Sequence, residues 1–159
     1  MDEAKFITLD NCLTILIYTD GSKSTNHMEL FTFYGGNYSS YIDYNGKKRN
    51  IKEGSAHLLE HYVCENTVSG DLLDNLRKYN VLSCNAGTSA FNTSYFFNTV
   101  CNFYECLDIF LDGIYNVSFT NEKLNKTKYA VLNEIRDSQN NEGRRIADIR
   151  DRTLFSNCM

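Results

Sequence analysis

No proline interrupts this sequence, and no glycine/serine-rich or otherwise low-complexity stretch divides it. Both absences exclude two domains joined by a tether. A chain of 159 residues then reads as one domain, residues 1–159, long enough to bury a core. There is no excess of basic charge either, the net charge being −4. That excludes non-specific binding to nucleic acid or to an anionic membrane. The opening segment, MDEAKFITLD, lacks the basic start and apolar centre of a secretion signal. The most apolar stretch, Leu13 to Tyr18, is far too short to span a bilayer. None of the cysteines, at positions 12, 64, 84, 101, 106 and 158, forms a CxxC pair, and most lie in apolar surroundings such as VLSC and FYECLDIF. With no visible secretion signal they read as reduced thiols, so the expected compartment is the cytoplasm. Gly35-Gly36 has neither the lysine nor the helix of a phosphate-binding loop. The arginines of EGRRIADIRDR are interleaved with acids at i,i+4 (Arg144 with Asp148, Asp148 with Arg152), the pattern of a solvated helix face.

What is present is an ordinary globular balance, 42% apolar and 23% charged. The first forty residues read as strands: Leu13, Ile15 and Ile17 alternate in CLTILIYT, and the turn residues DGSKSTN separate them from HMELFTFY. Gly35-Gly36-Asn37 ends the second strand, and YSSYIDYNGKKRN reads as a loop. A helix begins near Gly54 or Ser55 and carries HLLEHYV. Another spans Gly70 to Tyr79, with Leu72, Leu73, Leu76 and Tyr79 on one face. Val81 to Cys84 and Ser89 to Val100 read as strands. Phe103, Cys106, Leu107, Phe110 and Ile114 mark a further helix. Thr120 or Asn121 caps a long one running to about Asn140, with Leu124, Lys128, Val131 and Ile135 along one side, and Arg144 to Phe155 closes the chain. The expected fold is α+β, a largely antiparallel sheet packed with helices.

Two of the three histidines stand four apart in EGSAHLLEHY. On a helix, i and i+4 differ by about 40° and one turn of rise, so His57 and His61 project side by side. Two imidazoles so placed can reach one zinc ion. Glu60 lies on the flank of that face, within reach of a water beside the metal. This is the inverted form of the HExxH metallopeptidase helix. On those five residues alone, a metal site and a polar helix patch stay open. A catalytic zinc needs three protein ligands. His27, in the polar turn STNHM, reads as a surface residue. Glu134, in YAVLNEIRD, is the carboxylate candidate, with a solvent-facing glutamate paired to Lys128 or Arg136 as its plainer reading.

Three segments in order resemble the insulinase/pitrilysin/mitochondrial processing peptidase family of zinc metallopeptidases, most closely its bacterial members. GSAHLLEH is similar to the family's Gly-x-Ala-His-x-x-Glu-His. CNAGTSAFNTSYFF resembles its Asn-Ala-x-Thr strand, and NVSFTNEKLNKTKYAVLNEI resembles the helix that donates the third ligand. Glu134 falls 73 residues after His61, within the family's range. The resemblance implies one Zn2+ held by His57, His61 and Glu134, with Glu60 as general base on a zinc-bound water. It implies hydrolysis of peptide bonds in peptides or small unfolded polypeptides, and Asn85, Ala86 and Thr88 beside a substrate bound as an added strand. Without the resemblance that segment reads as an ordinary core strand.

Two departures qualify this. The family places a second glutamate seven residues before the ligand, where this chain has Thr127. Members also contain two homologous domains, the second supplying an arginine and a tyrosine for the transition state. The chain stops 25 residues after Glu134, so the expectation is an incomplete first domain. It would need a second homologous domain or a partner subunit for activity. The alternatives are a non-catalytic, peptide-binding relative that pairs with an active partner, and a helical protein with a structural zinc site. Retention of the whole HxxEH segment together with Glu134 speaks against both.

Overall fold

A computed structural model of the chain describes residues 3–155. The strands are β1 (Glu3–Thr8), β2 (Thr14–Thr19), β3 (Asn26–Thr32), β4 (Ser40–Ile42), β5 (Lys48–Asn50), β6 (Ser83–Thr88) and β7 (Thr93–Thr99). The helices are α1 (Ser55–Glu65), α2 (Leu72–Arg77), α3 (Phe103–Tyr115), α4 (Asn121–Asn140) and α5 (Glu142–Phe155). The α+β expectation holds, since every pairing between these strands is antiparallel and the main sheet packs against helices.

The central sheet has the order β3-β7-β6. Its middle strand alternates between buried and half-buried residues, the period-2 pattern of a strand with one face in the core. Tyr95 and Phe97 point into that core and meet Val63, Cys64, Leu72, Leu76, Cys106 and Phe110 from α1, α2 and α3. Phe97 is fully buried and packs edge-on against Phe110 at 5.4 Å between ring centroids. The aromatic run at 95–97 thus anchors the sheet to all three helices.

The elements differ from the sequence reading in instructive places. The second hairpin strand is shorter than the expected Ser89 to Val100, because Ser89 to Asn92 form the turn. Ser89 N–H donates to the Asn92 carbonyl, and the Ser89 hydroxyl receives the Phe91 and Asn92 amides. Gly35 lies against this turn so closely that a Cβ would meet the Asn92 nitrogen at 2.5 Å and the Ser89 oxygen at 2.6 Å. YSSYIDYNGKKRN is a small hairpin, β4-β5, rather than a loop. Asp43 accepts the Asn45 and Lys47 amides, and Gly46 takes the positive φ of 75° that the turn requires. His27 lies within β3 rather than in a turn, exposed and 2.9 Å from Asn98 Oδ1. On α4 the inward face follows Leu124, Thr127 and Val131, so Thr127 replaces Lys128 and Ile135 is exposed. The expected Asp148 pairings and Cys158 lie outside the described residues.

Candidate metal centre

α1 begins at Gly54, which takes a left-handed conformation (φ 79°), and its inward face carries Ala56, Glu60, Val63 and Cys64 toward the sheet and α2. Tyr62, on the other flank, fixes α1 to the chain entering α4. Its hydroxyl donates to the Ser118 carbonyl at 3.0 Å and accepts the Thr120 amide at 3.0 Å, and its ring stacks on Phe119. Thr120 then caps α4 by accepting the Lys123 amide, as its position before the helix leads one to expect. From that start, Thr127 and Val131 face α1, and Glu134 follows Val131 by three residues on the same face.

The outcome is a convergence of three donor atoms. His57 Nε2 and His61 Nε2 are 3.2 Å apart, and Glu134 Oε2 lies 3.5 Å from the first and 3.1 Å from the second. A tetrahedral ion with metal–ligand bonds of 2.0–2.1 Å requires edges of about 3.3–3.4 Å between ligands. The three measured edges bracket that value. Two imidazole nitrogens and a carboxylate oxygen converge here, each a type of atom that can offer a lone pair to a cation. The donor set therefore suits a divalent metal ion. Glu134 is exposed, as the plainer reading has it, yet its Oε2 turns to the two imidazoles, and Arg136 lies instead at Asn133 Oδ1.

Glu60 belongs to the same cluster, its carboxylate lying within 4.8 Å of both histidine nitrogens. Unlike Glu134 it is buried, and it accepts a hydrogen bond from Thr88 Oγ1 at 3.1 Å on Oε2. Of the two carboxylates, Glu134 makes the closer approach to the imidazoles. Asn85, Ala86 and Thr88 on β6 line a groove of about 840 Å³ with His57, Glu60, His61 and Glu134. β6 is an edge strand of its sheet, so its outer edge has no strand partner among the described residues. His27 lies on β3, at the opposite edge, and does not join the cluster.

Sequence reasoning did not place Cys64, Asp71, Glu65 or Arg144 at the groove. Cys64 lies beside the cluster, and burial, with the Glu60 charge second, pushes its thiol up to about 12. In the metal-free chain it is therefore a protonated thiol at neutral pH. Asp71 lines the groove while capping α2 through the Asp74 amide. Glu65 also lines it and lies 3.6 Å from His61 Nδ1. Its one sequence signal was the i+4 spacing from His61.

The family model for insulinase (peptidase family M16) matches residues 47–158, and the chain belongs to that family. Among solved structures it is similar to an M16-like peptidase from Alicyclobacillus acidocaldarius. That match has a TM-score of 0.81 and 22% identity, over 91% of this chain and 33% of the other. A protease from Helicobacter pylori is similar with a TM-score of 0.69 and 19% identity, over 86% of this chain and 31% of the other. This chain thus spans about a third of the length of each. None of the curated proteins matches it. No helix among the described residues is long and apolar enough to cross a membrane.

Proposed function

We propose that this chain carries the metal-binding half of a zinc metalloendopeptidase site. His57, His61 and Glu134 would hold the ion, Glu60 would be the general base, and Asn85, Ala86 and Thr88 would border the bound peptide. The observation that supports this most directly is the donor triangle of 3.1–3.5 Å edges, built from two imidazoles and one carboxylate. When bound there, zinc supplies Lewis acidity to the scissile carbonyl and to the attacking water.

The chain's own groups do the rest. The Thr88 hydroxyl holds one carboxylate oxygen of Glu60, which leaves Oε1 to take the proton from the attacking water. Glu60 then returns that proton to the departing amine, acting as base and acid in turn. Thr88 thereby links the base to β6, the strand along which a peptide adds. An extended peptide on that free edge is held by backbone hydrogen bonds, so peptides of varied sequence and small unfolded polypeptides are the proposed substrates. Groups that stabilise the developing oxyanion would come from a second homologous domain or subunit. A reducing compartment, the cytoplasm, completes the proposal, and the described cysteines are free thiols.

Two measurements separate its parts. The folded, reduced chain is expected to bind about one zinc ion and to lose it in His57→Ala. Glu60→Gln is expected to keep zinc while peptide cleavage falls by about 10²–10⁴-fold. Normal cleavage by that variant would show that Glu60 is not the base.

A further inference from the structure

We propose that Glu65, clamped by Thr127, is a positioning residue that fixes the ring of His61 for metal binding. The inference rests on the zinc reading above and adds to it a residue that no ligand pattern includes. Glu65 follows His61 by one helical turn. The two ring nitrogens of His61 face different partners: Nε2 turns to His57 and Glu134, and Nδ1 lies 3.6 Å from Glu65 Oε1. That distance is in ion-pair range and a few tenths of an ångström beyond a hydrogen bond, so a small ring rotation closes it.

The other oxygen of Glu65 is held firmly. Oε2 accepts from the Thr127 hydroxyl at 2.9 Å, and Thr127 is almost fully buried. The direction of that bond follows because an ionised carboxylate only accepts, and Asn66 Nδ2 donates to the same hydroxyl at 3.2 Å. The single hydroxyl proton is left for Glu65. Glu65 is also the last residue of α1, whose last turn holds no basic side chain. A carboxylate there is opposed by the helix dipole, and the Thr127 and His61 contacts offset that cost. A carboxylate at Nδ1 selects the tautomer in which Nε2 carries the free lone pair and limits ring rotation. Among the described residues no carboxylate approaches Nδ1 of His57, so the device acts on one histidine.

The test is a zinc titration of the 159-residue chain against a chromophoric chelator, with far-UV circular dichroism to verify folding. Glu65→Ala is expected to weaken zinc binding about 10–100-fold. Glu65→Gln, whose amide oxygen still accepts from Nδ1–H, is expected to recover most of that loss. In nitrogen-15 spectra of the zinc-loaded protein, the Nδ1–H signal of His61 moves upfield in Glu65→Ala while that of His57 stays in place. A merely structural role would shift both or neither. Should Glu65→Ala fail to fold, the nearly isosteric Thr127→Val carries the test by the same two readouts. Zinc affinity within about twofold of wild type, with the His61 signal unmoved, would overturn this inference and leave the zinc site standing. Absence of zinc binding in the wild-type chain would instead overturn the site itself and the inference with it.

Discussion

α1 and α4 each supply part of the proposed metal site, and they are held in very different ways. α1 packs on α2, α3, β6, β7 and α4, and five of its eleven residues are buried. α4 packs chiefly on α1 and α5, and only Thr127 and Val131 of its twenty residues are buried. Its other large side chains, Tyr129, Leu132 and Ile135, are open to solvent. The histidine pair and Glu60 therefore stand on a helix fixed by the core. Glu134 arrives through a few contacts: the Tyr62 clamp at the start of α4, then Thr127, then Val131. On the proposed reading, preorganisation is concentrated on the helix that holds the base, and the third ligand sits on the less buried helix.

That contrast can be broken at the core first. Phe97→Ala, beneath α1, is expected to cost about 3–5 kcal/mol in urea unfolding, a large part of a small domain's stability. Val131→Ala on α4 should cost about 2 kcal/mol. Equal losses at the two positions would contradict the unequal anchoring. Glu134→Ala sharpens the same point from the other side. Its half-exposed side chain should leave the stability of the metal-free protein within about 0.5 kcal/mol. Zinc affinity in that variant should fall by more than the roughly 10–100-fold expected of a supporting residue.

The smallest effect concerns Cys64. The folded thiol keeps its proton to about 12, against an ordinary value of 9.0. As pH rises from 8 to 10 the unfolded chain loses that proton while the folded chain retains it. Folding stability should therefore decline, by about 1 kcal/mol. Urea unfolding at the two pH values checks this, and Cys64→Ala should reduce the difference, the raised Cys84, Cys106 and Tyr95 keeping part of it. At pH 8, alkylation should reach the exposed Cys12 and Cys101 and spare Cys64.

Much of this was legible in the sequence because it is local. The i,i+4 histidines, the Thr120 cap and the periodicity of α3 are set by neighbours along the chain. Glu134 was a candidate from its place in the helix, and the resemblance, which places it 73 residues after His61, was what set it above a solvated glutamate. The β4-β5 hairpin carried an Asn-Gly signal at 45–46 that the surrounding polar residues obscured. Glu65 was not legible because its meaning depends on Thr127, 62 positions away, and on the packing that buries that hydroxyl. Thr127 itself looked like a loss when compared with the family's glutamate. In the fold it donates to the Glu65 carboxylate on α1, which lies 3.6 Å from His61 Nδ1.

The central claim is that His57, His61 and Glu134 form one zinc site. X-ray absorption on the reduced chain loaded with one equivalent of zinc tests it most directly. The account predicts nitrogen and oxygen scatterers at about 2.0–2.1 Å with an imidazole signature, changed by His61→Ala and by Glu134→Ala. A sulfur scatterer at about 2.3 Å, placing Cys64 on the metal, or a folded chain that binds no zinc, would contradict it.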